Sequence, residues 1–227
     1  KLGKGKFKPK TLIKGLQHNW ELAGSIGSTF YFLTNKDAPR ARLVTLDVEK
    51  PKAPLKEIVP QTTDTLVGAS LVGKRIIVAY LGDAKSEAEL RELDGRLVGP
   101  IKLPDIGTAA GFGGQGGDAE TFFSFSFFLT PPTIYRLNTD TGVTDVFAKP
   151  QAPFDPAKFL TEQVFYSSRD GTKIPMFIVR RKDVKGAAPA LLYGYGGFNS
   201  AVTPSFKAWQ LAWVEQGGVL AVANLRG

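Results

Sequence analysis

Thr29-Phe30-Tyr31-Phe32-Leu33 has a counterpart 46 residues on in Arg75-Ile76-Ile77-Val78-Ala79, and another 46 residues after that in Phe122-Phe123-Ser124-Phe125, with Tyr31, Ile77 and Phe123 at matching places. Aromatic and β-branched runs of this length read as strands. A second marker follows each: Leu43-Val44-Thr45-Leu46-Asp47, Leu90-Arg91-Glu92-Leu93-Asp94 and Ile134-Tyr135-Arg136-Leu137-Asn138. A proline closes each unit, at Pro60, Pro104 and Pro150. Three markers recurring at 44 to 47 residues are the period of four-stranded β-propeller blades. One blade cannot bury both of its faces, so it stacks on neighbours around an axis. Residues 1–150 are therefore expected to form a partial propeller of about three blades plus the end of a preceding one, with Phe7 to Ile13 as its last strand. Three blades cannot close a ring, so the chain is expected to be a piece of a longer one.

Beyond Pro150 the pattern changes. Leu160 to Ser167 and Thr172 to Arg181 read as strands joined at Arg169-Asp170-Gly171, where Asp-Gly is favoured hairpin chemistry. Ala188 to Tyr193 reads as a short buried strand, and Ser205 to Gln216 as a helix closed by Gly217-Gly218. Val219 to Ala223, wholly apolar, suits a parallel strand covered on both faces. Hairpin, strand, helix, strand is the opening of an α/β-hydrolase sheet, so the fold class expected is an all-β propeller segment followed by the start of an α/β-hydrolase domain over residues 151–227. An open propeller edge would expose unpaired strand backbone and a two-strand sheet start would leave its crossover helix poorly covered, so the isolated chain is expected to aggregate or stay partly unfolded.

The net charge of +8 is concentrated at one end: Lys1, Lys4, Lys6, Lys8, Lys10 and Lys14 all precede the first acid, Glu21. The remainder carries about +2, so no distributed nucleic-acid face is expected. The absence of cysteine excludes disulfides, zinc fingers and Cys nucleophiles. No apolar run approaches the roughly 18 residues a membrane helix needs, and the lysine-rich start lacks the apolar core of a signal peptide.

Several residues invite a chemical reading that their surroundings weaken. Gly111-Phe112-Gly113-Gly114-Gln115-Gly116 has the G-x-G-x-x-G spacing of a dinucleotide loop, but a strand rather than a helix should follow it, so it reads as a turn. His18 is the single histidine and falls before the repeat has settled; no metal or cofactor site is expected. Phe122, Phe123, Phe125, Phe127 and Phe128 read as blade interior, and Arg180, Arg181, Lys182 and Lys185 as a solvated turn. Tyr193-Gly194-Tyr195-Gly196-Gly197-Phe198 is different. A strand that breaks into glycine-rich backbone with a tyrosine at its tip can aim a phenolic hydroxyl at a developing oxyanion, worth about 3 kcal/mol for one such donor. Tyr195 is the candidate oxyanion donor and Phe198 the candidate wall of the substrate pocket. No Gly-x-Ser-x-Gly turn accompanies them, so no nucleophile or triad is expected within the chain.

Three stretches together carry a resemblance to a known family: Tyr166 to Phe177 (with Arg169-Asp170-Gly171-Thr172-Lys173-Ile174-Pro175 at its centre), Leu192 to Phe198, and Gly217 to Gly227. They resemble the prolyl oligopeptidase family of serine peptidases. The resemblance implies hydrolysis of short peptides on the carboxyl side of proline, with a seven-bladed propeller limiting substrate size. It also implies the oxyanion role for Tyr195 and the pocket role for Phe198. The family's serine, aspartate and histidine would fall beyond the position matching Gly227, so the isolated chain is expected to be inactive. Gly197-Phe198 favours this specificity over the family's basic-residue-cleaving relatives. A cytoplasmic location is the commoner implication, a periplasmic one the alternative. Two other readings remain: a related propeller-bearing hydrolase such as an acylaminoacyl peptidase or an esterase, and a non-catalytic propeller interaction protein.

Overall fold

A computed structural model describes residues 11–151 and 153–226. The lysines from Lys1 to Lys10, most of the strand expected at Phe7 to Ile13, and Gly227 lie outside the described residues. Thr11 to Ile13, the end of that expected strand, are irregular, although Leu12 and Ile13 pack on the first blade.

Twelve strands form three antiparallel sheets of four, each in simple up-and-down order. The first holds β1 (Trp20–Ile26), β2 (Thr29–Thr34), β3 (Arg42–Asp47) and β4 (Lys56–Val59). The second holds β5 (Thr65–Val72), β6 (Arg75–Gly82), β7 (Lys85–Glu92) and β8 (Leu97–Pro100). The third holds β9 (Thr108–Gly113), β10 (Glu120–Phe127), β11 (Thr130–Asn138) and β12 (Thr144–Ala148). The first markers of the repeat lie on β2, β6 and β10, the second on or at the end of β3, β7 and β11, and each proline follows an outermost strand. Neighbouring blades meet along their first strands, β1 against β5 and β5 against β9, as they do around a propeller axis.

Side-chain alternation explains why the second blade is apolar on both sides. Successive residues of a strand point to opposite faces. On β6, Ile76, Val78 and Tyr80 join Tyr31, Leu33 and Leu43 in a core between the first two blades. Ile77, between them, belongs instead to the core shared with Phe123, Phe125 and Leu137 of the third blade. In that core Phe123 stacks between Phe112 (4.6 Å) and Tyr135 (5.3 Å). Phe123, Phe125, Phe127 and Phe128 are buried as expected of blade interior. Phe122 faces the other way, half-exposed, and meets Phe147 edge-on at 4.9 Å.

Each blade also carries two irregularities at equivalent places. Ala23, Val67 and Phe112 are extra residues in β1, β5 and β9, each beside a register shift against the second strand. Ile58, Val98 and Phe147 are extra residues in β4, β8 and β12. A bulge bends its strand and increases local twist, which lets the innermost and outermost strands of a blade coil; the third blade carries a further shift within its middle pair, between Phe125 and Phe127. Gly111 to Gly116 occupies the end of β9 and the turn into β10, with Asp118 Oδ2 accepting from the Gln115 N–H at 2.6 Å; no helix follows.

The fourth sheet is mixed, in the order β13 (Phe159–Ser167), β14 (Lys173–Arg181), β16 (Val219–Asn224), β15 (Ala190–Tyr195). The hairpin pairs antiparallel with β16, and β15 pairs parallel with β16. The expected two-strand start is thus one four-stranded sheet. Between β15 and β16 runs α1 (Ala208–Glu215), shorter than the sequence suggests. It ends as expected: the Gly218 N–H donates to Trp213 O and the Gly217 N–H to Val214 O, with Gly217 at φ +90°. The strand expected to be buried before Tyr193 is not. β15 is an edge strand with Leu192 67% exposed, because β16 alone flanks it and no described element covers its outer face.

The mixed sheet docks on the blades through Phe177, which is fully buried and lies 5.5 Å from Phe128. Three hydrogen bonds add direction: Thr108 Oγ1 to Pro204 O (2.6 Å), the Phe206 N–H to Ser126 Oγ (3.0 Å), and Gln163 Nε2 to Asp83 O (2.6 Å). The basic residues after the hairpin are tied down as well as solvated. Arg180 Nη1 donates to Val184 O, while Arg181 pairs with Asp183 and donates to Glu215 O, the last carbonyl of α1. The Arg181 pair holds the Asp183 carboxyl below its usual range.

Candidate functional site

β15 and β16 run parallel from Ala190 opposite Val219 to Tyr195 opposite Asn224, so the glycine-rich motif emerges at the carboxyl ends of two adjacent strands. That edge is where open α/β sheets present their chemistry. Beyond Tyr195 the chain turns sharply over the β16 exit. A Cβ placed on Gly196 would lie 2.3 Å from Arg226 O and 2.9 Å from Leu225 O, so only glycine permits this approach. The Tyr195 ring folds back over Gly197, where an added Cβ would meet its hydroxyl at 2.8 Å. Phe198 and Asn199 then adopt left-handed backbone at φ 56° and 53°, a conformation unfavourable for a bulky residue such as Phe. Asn224 Oδ1 accepts from the Val202 N–H at 2.8 Å and closes the loop on its far side.

Joined to it through Arg226 is the turn of the β13–β14 hairpin. Arg226 reaches it with both terminal guanidinium nitrogens: Nη1 lies 2.7 Å from Asp170 Oδ2 and 3.4 Å from Thr172 Oγ1, and Nη2 lies 3.1 Å from Ser168 Oγ. The turn is internally braced. The Thr172 N–H donates to Asp170 Oδ1, the Ser168 N–H to Thr172 O, and the Gly171 N–H to Ser168 O. The Arg226 guanidinium, helped by the Thr172 N–H, draws the Asp170 carboxyl down to about 2.

Between this assembly and the second blade lies an open cavity of about 540 Å³. Its walls are Thr65, Val67, Leu81, Asp83 and Ala84 on the blade side, and Lys173 to Pro175, Gly196, Asn199 to Ala201 and Asn224 to Arg226 on the other. Gly196 and Asn199 border it; Tyr195 and Phe198 do not. Tyr195 is 40% exposed and Phe198 98% exposed. His18 is exposed ahead of β1. No group of three or more His, Asp or Glu able to hold a metal ion occurs among the described residues.

The family model described as prolyl oligopeptidase, N-terminal beta-propeller domain, matches residues 1–150. The chain belongs to the prolyl oligopeptidase family. A prolyl endopeptidase of Elizabethkingia meningoseptica is 41% identical over 219 residues, which is 95% of this chain and 31% of the relative. The prolyl oligopeptidase ophP of Omphalotus olearius is 34% identical over 227 residues, covering 94% of this chain and 30% of the relative. The chain thus spans about a third of the length of the curated relatives it matches. Among solved structures, a prolyl endopeptidase superposes with a TM-score of 0.88 at 42% identity, over 95% of this chain and 32% of that one. Prolyl oligopeptidase B of Galerina marginata, bound to a 35mer hydrolysis and macrocyclization substrate, superposes with a TM-score of 0.88 at 28% identity, over 96% and 32%. The likeness to prolyl oligopeptidases therefore extends past the propeller into the mixed sheet and its glycine-rich turn.

Proposed function

We propose that this chain is part of a serine-type endopeptidase that hydrolyses short peptides on the carboxyl side of proline. Tyr195 donates its hydroxyl to the oxyanion formed as the scissile carbonyl is attacked, and Phe198 forms part of the apolar wall that receives the substrate. The observation that carries this reading is the end of β15: Tyr195 is its last residue, at the carboxyl edge of a parallel pair, followed by a turn that only glycine at 196 can make. The left-handed Phe198 adds weight, since strained backbone of this kind gathers at working sites. The attacking serine and its aspartate and histidine partners are supplied from outside these 227 residues. The blades stand over the sheet edge and restrict what reaches it.

The test is hydrolysis by the full-length protein of three substrates: an internal-proline peptide, a blocked N-terminal peptide and a simple ester. Preference for the first supports the reading, and preference for either of the others makes the protein a hydrolase of different specificity. Tyr195→Phe lowers kcat by roughly 10²- to 10³-fold on the preferred substrate if the hydroxyl serves the oxyanion. The 227-residue chain alone gives no turnover.

A further inference from the structure

Arg226 has three acceptors, all on one turn, and that turn lies 54 to 58 residues earlier in the chain. Its side chain and Asp170 are each about half exposed, and exposed ion pairs contribute little to stability. A fork of this kind contributes geometry instead: two planar nitrogens meeting a braced turn fix where the guanidinium, and the backbone behind it, can lie. That backbone is the surface on which Gly196 rests, with the Arg226 carbonyl inside the space a Cβ at 196 would need. Tyr195 precedes Gly196 directly and is paired with Asn224, two residues before Arg226.

We propose that Arg226 is a positioning residue: by clamping the Leu225–Arg226 backbone to the Ser168–Thr172 turn, it fixes the Gly196 turn and hence the direction of the Tyr195 hydroxyl. The inference rests on the oxyanion reading of Tyr195. Asp170 stays ionised throughout the range in which peptidases work, so the clamp is permanent rather than switched. Lysine at 226 would satisfy Asp170 but could not also reach Ser168 in the same plane, so the charge alone supplies only part of the effect.

The experiment is a double-mutant cycle in the full-length protein, read as kcat and KM on an internal-proline peptide. Arg226→Gln is expected to lower kcat by roughly 10- to 100-fold with KM changed less than about twofold, because a misplacement of about 1 Å costs that order of rate. Arg226→Lys recovers part of the loss. In a Tyr195→Phe background Arg226→Gln costs no more than about twofold further, since the hydroxyl it positions is gone. Asp170→Asn breaks the ion pair from the other side, keeps the acceptor for the Thr172 N–H, and lowers the height of the kcat profile without moving its limbs; it stands in if Arg226→Gln is insoluble. Three results overturn the proposal: single-variant kcat within about twofold of wild type, losses at 195 and 226 that multiply, or a displaced pH limb in Asp170→Asn. An unaffected kcat in Tyr195→Phe would instead remove the oxyanion reading itself, and the proposal with it.

Discussion

The second blade and the mixed sheet are both four-stranded, and they solve the burial problem differently. β6 sits between two cores, so Ile76 and Ile77, neighbours in sequence, are each buried against a different blade. β15 sits at an edge, flanked by β16 alone, with Leu192 and Tyr193, on its two faces, both exposed. The blade strand is held by its faces. The strand that carries the candidate site is held by its end, through Gly196 on the Arg226 carbonyl and Asn224 on Val202. Placement of chemistry in this molecule thus depends on a few backbone approaches, whereas placement of the blades depends on apolar area.

The contrast is sharpest where the two regions meet. Phe177→Ala removes the fully buried ring that faces Phe128 and should cost about 3–5 kcal/mol in chemical denaturation. A cost under 1 kcal/mol would mean that the sheet is not packed on the third blade. Within the regions, Ile77→Ala should cost about 2–5 kcal/mol, whereas Leu192→Ala should stay within about 0.5 kcal/mol of the parent. Equal costs would show that β15 is covered after all.

Two glycines extend the comparison. A Cβ at Gly95 would lie 2.0 Å from Ile58 O, between the first two blades, and one at Gly196 would lie 2.3 Å from Arg226 O. Each change to alanine should cost about 1–3 kcal/mol, but Gly196→Ala alone should also depress kcat in the full-length protein. The smallest effect concerns acid. A carboxyl drawn from 3.8 down to about 2 in the folded protein stabilises it fully above pH 3.8, and that contribution fades as pH falls toward 2. Asp170→Asn should therefore flatten the decline of the melting temperature between about pH 4 and pH 2. An unchanged acid limb would mean that Arg226 does not hold Asp170 in solution.

The blades were open to sequence reading because every unit restates the same strand chemistry, and burial on both faces leaves apolar residues at nearly every position of β2 and β6. The bulges at Ala23, Val67 and Phe112 escaped it, although they recur at 44 and 45 residues. An extra residue changes only local register, and alanine, valine and phenylalanine share no composition to mark it. Ala188 to Tyr193 read as buried because an apolar run does not say which neighbours the strand will have. Tyr195 and Phe198 stood out because glycine isolates them. Arg226 and Asp170 both lay within the quoted motifs, yet nothing in a spacing of 56 residues announces that they touch.

Val67 is the surplus residue of its strand, without a cross-strand partner on β6, and it forms part of the cavity wall facing the candidate site. Its side chain can grow or shrink without disturbing any ladder hydrogen bond or either interblade core. The bulge thus uncouples the architecture from the bore of the chamber. A substitution at this one position would reshape the cavity while leaving the blade unaltered.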